Sequence, residues 1–412
     1  MTRSPRQKPF LALLPALGLA AIALLGAADA RAALLSGRVV GPGGAPAAGV
    51  DIDVDDAVTG DRIPTTADTT DADGTFDITV PNGLFNVTFN APKPLRLVSR
   101  TVLGVSVATT DTDMGDVVLA TGALVSGRVI RLSNGTAVPA ADVDVDDSFT
   151  GTRVPTPDDD SDASGNFSVV APFGTVDVTI EPQKANRLVA WRAIGLVVAG
   201  DVNLGNVPLG AGFLVSGTVT GPGGGIAGVD IEAYDSSTGG QVPTPGSSSA
   251  AGGAYSFVLP AGAFRLKAGA PLETGTGRSV LANVVVSGDL SLPISVFPSV
   301  LSIDFADAGR LVDAGTIFRA TLRLRNNAGA PRTVRAIIQA VDPRRGAARD
   351  VITPLVTTIP GSAVVRTGRV SFRIPASVKP ALRGIPFHLV ASIVDPTSGA
   401  LVDSDFLAFQ VR

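Results

Sequence analysis

Apolar and polar positions alternate along much of the chain. The order is Asp-Ile-Asp-Val-Asp at 51–55, Asp-Val-Asp-Val-Asp at 142–146 and Leu-Arg-Leu-Arg at 322–325. A period of two sends successive side chains to opposite faces, which is the pattern of a strand with one buried face. The apolar residues are mostly Val, Leu, Ile and Ala, and the 47 glycines and 30 prolines fall between the apolar runs, where turns need them. The first unit after residue 32 reads as about seven short strands. The clearest are 34–40, 49–55, 75–80, 84–90, 98–107 and 114–119, with a turn at Gly41-Pro42-Gly43-Gly44 and a polar stretch around Pro64. Pro81-Asn82-Gly83, with its Asn-Gly turn signal, predicts a hairpin joining 75–80 to 84–90.

This unit repeats. Ser36-Gly37-Arg38-Val39 returns as Ser126-Gly127-Arg128-Val129 and as Ser216-Gly217-Thr218-Val219, a spacing of 90 each time. Arg62-Ile63-Pro64-Thr65 returns as Arg153-Val154-Pro155-Thr156, and Val242-Pro243-Thr244 remains in the third copy. Gly74-Thr75-Phe76, Gly165-Asn166-Phe167 and Gly253-Ala254-Tyr255 mark a further shared position. A period this long is too great for a solenoid repeat and suits a whole sandwich domain. The boundaries read as 33–121, 122–211 and 212–299, followed by a different all-β region at 300–412.

Ser36-Gly37-Arg38-Val39-Val40, Gly43 to Ile52, Thr70-Asp71-Ala72-Asp73-Gly74-Thr75-Phe76 and Val80-Pro81-Asn82-Gly83-Leu84-Phe85 together resemble the carboxypeptidase regulatory-like domain family. The resemblance covers most of each copy. It implies an all-β chain with three tandem seven-stranded transthyretin-like sandwiches. It also implies non-catalytic modules of the kind that accompany peptidases, outer-membrane receptors and surface proteins, with no active site to carry over. The third copy departs most, since Ala250-Ala251-Gly252-Gly253-Ala254 replaces the acidic turn. Strand-like runs at 314–326, 333–341, 350–358, 364–374, 387–394 and 405–411 make the last region similar to an immunoglobulin-like sandwich.

Composition adds compartment. A chain of 412 residues, 45% hydrophobic and 17% charged, has apolar surface for a packed core in each of three or four domains. Without cysteine there is no disulfide, no thiolate chemistry and no lipid attachment at an N-terminal Cys. Arg3, Arg6 and Lys8 precede an apolar run from Phe10 to Leu25, and small residues follow at Ala28-Asp29-Ala30 and Ala30-Arg31-Ala32. This reads as a signal peptide over 1–32. The run contains Pro15 and is short for a membrane span. With no later span, the expected location is secreted, periplasmic or at the cell surface. Charge is uneven: 34–300 carries 14 basic and 28 acidic residues, a net of −14, and 301–412 carries 15 and 8, a net of +7. That split allows an acidic partner for the last domain, attraction within the chain, or plain solubility.

Little in the sequence carries chemistry. His388, the only histidine, alternates with Phe387 and Leu389, which places it on the solvent or edge side of a strand. One histidine and no cysteine cannot make an ordinary zinc site, and no nucleophile elbow, phosphate loop or dinucleotide fingerprint appears. No catalytic residue and no cofactor site is assigned. Calcium is the one cofactor the acids allow: Asp68, Asp71 and Asp73 before Gly74, and Asp158, Asp159, Asp160 and Asp162 at the matching place, are hard oxygen ligands on a loop. The same residues also read as a β-turn in which Asp and Gly only set the backbone. The strand acids Asp51, Asp53 and Asp55, with Asp142, Asp144 and Asp146, read as an acidic outer face, because same-face neighbours are about 7 Å apart and need a second strand to share an ion. Tyr255 and Trp191 read as core and half-buried core, and Lys93 and Lys184 align with nothing to pair them. The acidic repeats disfavour nucleic acid.

The sequence therefore points to an exported non-catalytic stalk or adhesin-like scaffold, a semi-rigid rod of four sandwiches. Its partner would be a protein or glycan at the cell surface. The alternatives are a module binding glycan, peptide or calcium, and an accessory subunit of a secreted hydrolase.

Overall fold

A computed structural model of the chain describes residues 32–361 and 364–412; the signal-peptide reading falls almost wholly outside them. The first repeat has strands β1 (Ala33–Val40), β2 (Asp51–Asp56), β3 (Thr75–Val80), β4 (Gly83–Asn90), β5 (Arg100–Val107) and β6 (Thr112–Val118). The second has β7 (Gly122–Arg131), β8 (Asp142–Asp147), β9 (Arg153–Val154), β10 (Asn166–Pro172), β11 (Gly174–Glu181), β12 (Trp191–Val198) and β13 (Val202–Leu209). The third has β14 (Phe213–Gly221), β15 (Gly224–Gly225), β16 (Asp230–Asp235), β17 (Gln241–Val242), β18 (Ala254–Leu259), β19 (Gly262–Gly269), β20 (Ser279–Val286), β21 (Leu290–Ser291) and β22 (Ile294–Ser295). Each repeat is two sheets face to face, β3-β1-β6 on β2-β4-β5 in the first and β10-β7-β13 on β12-β11-β8-β9 in the second. Alternation fills the space between them: Ile52, Val54, Ile78, Phe85, Val87 and Phe89 are fully or nearly fully buried in the first core. Their counterparts in the second include Val143, Val145, Val169, Val176, Val178 and Ile180.

The expected hairpin at Asn82-Gly83 is not there. β3 pairs with β1 and β4 with β2, so the connection crosses from one sheet to the other. A two-residue hairpin would need positive φ at its centre, and neither Asn82 nor Gly83 has it. Both strands bury one face, and crossing lets Ile78 and Val80 meet Phe85 and Val87 across the core rather than side by side.

Consecutive repeats are joined with almost no free chain. Leu97 pairs with Thr121, and Gly122 N–H donates to the Arg96 carbonyl at 2.8 Å. At the next joint Leu188 pairs with Ala211, and Gly212 N–H donates to the Arg187 carbonyl at 2.8 Å. A Cβ on Gly122 would stand 2.5 Å from the Ala171 carbonyl, so the close approach requires glycine. The two joints also share side chains. Arg96 meets Asp201 at 2.5 Å and Arg187 meets Asp289 at 2.8 Å. Lys93 donates to the Asp158 carbonyl, and Lys184 to the carbonyls of Gly246 and Ser256. The aligned lysines that had no evident partner are thus cross-joint braces. The ion pairs are exposed and contribute little, so the backbone bonds set the stiffness.

The last domain has strands β23 (Leu301–Ala308), β24 (Leu311–Val312), β25 (Ile317–Asn326), β26 (Arg332–Asp342), β27 (Ala347–Asp350), β28 (Leu355–Ile359), β29 (Val365–Arg373), β30 (Pro386–Val394) and β31 (Leu401–Val411). They form a three-stranded sheet, β23-β25-β29, and a larger one, β24-β31-β30-β26-β27, with β28 also on β26. It does not extend the row as a fourth unit. It lies along the flank of repeats 2 and 3: Gly309 sits against Phe149, Leu311 N–H donates to the Ser148 carbonyl at 3.0 Å, and His388 reaches Gly239.

Candidate functional site

Among the described residues, ionisable groups gather at the seam between the third repeat and the last domain and at one end of the paired strands β8 and β11 of the second repeat. The seam is built from strand faces that would ordinarily meet water. Lys267 on β19 points away from its own core and is buried by the last domain. Its Nζ donates to Asp405 Oδ1 at 3.0 Å and to the Phe406 carbonyl at 2.7 Å, pairs closely with Glu232, and lies 5.1 Å from the centre of the Phe406 ring. Arg278 spans Asp405 at 3.1 Å and Asp304 at 3.2 Å, and Arg323 grips Asp304 from the last domain's own β25. Burial alone would lower the Lys267 pKa, but Asp405 and Glu232 more than offset it and hold it well above the usual lysine value. Burial pushes Asp405 up, while Lys267 and Arg278 outweigh that and keep it below the usual range.

The contacts run against the net charges. At repeat 3 the acidic repeat supplies the cations and the basic last domain supplies Asp304, Asp403 and Asp405. At repeat 2 the sense reverses, with Arg310 reaching Asp146 at 3.4 Å and Asp177 at 3.7 Å. The seam is not fully closed. A cavity of about 340 Å³ lies within it, walled by Glu232, Lys267, Arg278, Asp304, Arg310 and Arg323 among others.

His388 belongs to this seam, not to a solvent or edge face. It is only 2% exposed, stacked on Phe406 with ring centres 4.8 Å apart and edge-on to Tyr234 at 5.3 Å. Its Nε2 lies 2.7 Å from the Gly239 carbonyl, and a carbonyl only accepts, so Nε2 carries the proton. The strand alternation was right about the face, but the third repeat covers that face. A signal lay in the aligned copies: Lys267 and Tyr234 stand where the earlier copies have Thr88 and Thr179, and Asp55 and Asp146.

The acids singled out for calcium do not converge. Asp71 closes a turn through its backbone to Gly74 and Thr75. Asp73 Oδ1 accepts from the Thr75 backbone and hydroxyl, and Asp162 Oδ1 from the backbone of Ser164 and Asn166. Asp68 accepts from Thr65, Asp159 from Thr156, and Asp160 is exposed. Gly74 follows because its backbone, at φ 83°, passes so near the Val39 carbonyl that a Cβ would stand 2.4 Å away. The strand acids are not a bare acidic face either: Arg62 bridges Asp53 and Asp55, and Arg153 bridges Asp144 and Asp146.

A different trio does come together. Glu181 sits opposite Asp142 in the β8–β11 register, and ligand atoms of Asp142, Asp144 and Glu181 lie within 4.8 Å of one another. The first repeat has Asn90 in place of Glu181, and it donates to Asp53 at 2.8 Å. Asp142 Oδ1 is buried without a hydrogen-bond partner. Burial, then the charge of Asp160, raises the Asp142 pKa; burial, then Asp142, pushes Asp159 up to about 7. A raised carboxyl costs stability above its folded pKa and nothing below its unfolded one. Asp142→Asn should therefore stabilise the chain at pH 7, with the gain vanishing towards pH 4. Urea unfolding of both proteins at the two pH values checks this; an unchanged or lower midpoint at pH 7 would contradict it.

No protein-family model matches the chain, and no curated protein matches it in sequence. Among solved structures, the Bacillus anthracis TIE protein is similar at 14% identity and TM-score 0.20, over 65% of this chain and 51% of that one, so the chain spans about half its length. A DUF3823 family protein from Bacteroides ovatus is similar at 12% identity and TM-score 0.21, over 49% of this chain and 100% of that one. BcpA, the major pilin subunit of Bacillus cereus, is similar at 12% identity and TM-score 0.18, over 65% and 100%. Likeness at this level identifies no family. No helix among the described residues is long and apolar enough to cross a membrane.

Proposed function

We propose that the protein is an exported, non-catalytic structural scaffold. Three transthyretin-like sandwiches form a stiff row, and an immunoglobulin-like domain braces its second half. The observation that carries this reading is the duplicated joint: the same backbone pairing, Arg–Asp contact and lysine brace occur at both repeat junctions. A joint rebuilt twice with the same parts fixes the angle between modules, as a spacer needs and a set of independent binding domains does not. His388, the residue best suited to proton transfer at neutral pH, is committed to holding two domains together.

Small-angle scattering of the chain without residues 1–32 tests the reading. Strands of this length make each unit about 25–35 Å long, so three in a row with the fourth alongside give a largest dimension of roughly 75–105 Å, against roughly 100–140 Å for four in line. A broad distribution of dimensions, as from independently swinging domains, would remove the scaffold reading. A second reading rests on the seam cavity, whose walls mix carboxylates and guanidinium groups and suit a small zwitterionic or charged ligand.

A further inference from the structure

The docking face that the second repeat offers to the last domain is present on the first repeat too, and there it is bare. Three positions define it. Val58 and Phe149 follow the same Asp-led turn, since Asp56 and Asp147 each accept from the backbone two and three residues on. Leu103 and Ile194 precede Gly104 and Gly195, whose N–H groups donate to Asn86 and Asp177. Leu84 and Thr175 follow Gly83 and Gly174 at the start of matching strands.

In the second repeat this face is occupied. Gly309 lies against the Phe149 backbone, Leu311 reaches Gly195, Arg310 reaches Asp146, and Arg412 contacts both Thr175 and the Phe149 ring. In the first repeat Val58 is 80% exposed, Leu103 75% and Leu84 45%, and a Cβ on Gly104 would meet nothing within 4 Å. These three aliphatic side chains stand at the positions whose counterparts meet the last domain, where Phe149 and Ile194 fall to 37% and 36% exposure. Half of the anchor for an arginine is also kept: Asp55 stands where Asp146 does, while Asn86 replaces Asp177. Asp55 Oδ1 takes Arg62 as Asp146 Oδ1 takes Arg153, and it is Asp146 Oδ2 that receives Arg310. Burial alone raises the Asp55 carboxyl, whereas at Asp146 burial is opposed by Arg310 and Arg192. An arriving guanidinium would supply a second cation beside Arg62.

We propose that the Val58–Leu84–Leu103 face of the first repeat docks a partner protein through a segment in which an arginine stands between a small and a branched aliphatic residue, as in Gly309-Arg310-Leu311. The small residue admits the backbone to the turn, the arginine enters over Asp55, and the aliphatic covers Leu103 and Gly104. The inference is independent of the spacer reading, since it concerns what the row holds and not its stiffness.

The test uses the full chain without residues 1–32 and a fluorescein-labelled peptide of residues 306–314, followed by anisotropy. Saturable binding is expected, weakened at least tenfold by Val58→Asp or Leu103→Asp and by Arg310→Glu in the peptide. Both protein variants change exposed side chains, so unchanged melting temperatures separate loss of binding from loss of fold. Absence of saturable binding at millimolar peptide would overturn the proposal, as would binding that the first-repeat variants leave untouched. Concentration-dependent dimerisation of the wild type that Leu103→Asp abolishes would assign the face to a second copy, and would also overturn it.

Discussion

Lys267→Met is expected to loosen the last domain from the third repeat and to lower the stability of their union by about 3 kcal/mol. The substitution keeps the length and apolar stem of the side chain and removes only the charge. Three groups then lose their donor: Asp405 Oδ1 and the Phe406 carbonyl, both on buried residues, and Glu232, which is partly exposed on the cavity wall. A buried carboxylate stripped of its partner typically costs about 3–5 kcal/mol. The lower end applies because Arg278 still faces Asp405 at 3.1 Å. Hydrogen exchange should show the loss first in β31, whose Asp403, Asp405 and Phe406 are the last domain's side of the seam, and leave repeat 1 unchanged. Equal protection of β31 in variant and wild type would mean that Lys267 is held by the seam without holding it.

How much of this was legible from the chain depends on which interactions are local. The 90-residue period and the alternation at 51–55 and 142–146 are written in consecutive residues, and the two-sheet repeats follow from them. Arg62 and Arg153 lie in a repeated motif, yet their role needs β2 and β8 beside them: each arginine is nine and seven residues from the two strand acids it bridges and meets them only after folding. The hairpin expected at Asn82-Gly83 failed because a turn dipeptide reports what a turn tolerates, while the burial of Ile78 against Phe85 decided which sheets the flanking strands joined. The seam was the least legible part. A lysine on the outer face of a strand is ordinary, and only its replacement of Thr88 and Thr179 in the aligned copies marks Lys267. The charge split pointed to attraction within the chain as one option, but net charge could not show that Asp304, Asp403 and Asp405 would be the last domain's contribution at repeat 3.

The second large effect is acid sensitivity carried by one residue. Burial, helped by the charges of Arg265 and Lys267 and opposed by the bond to Gly239, lowers the His388 pKa to about 4, against a usual value near 6.5. A depressed folded pKa means stability fully present above the unfolded value and lost as pH falls through the folded one. Between pH 7 and pH 4 the seam should lose about 3 kcal/mol from this group. Asp403 acts in the opposite sense. Burial raises it to about 6, so its cost is present at pH 7 and relieved as the pH drops towards 4. The wild-type curve sums the two and is flattened by their cancellation, so its shape alone cannot identify either residue. His388→Gln separates them: the amide can still donate to Gly239 but does not titrate. Exchange protection in β31 should then rise from pH 7 to pH 4 in the variant, driven by Asp403, while the wild type stays nearly level. Parallel profiles in the two proteins would show that His388 enters water before it takes up its proton, and that the seam opens at this point ahead of the titration.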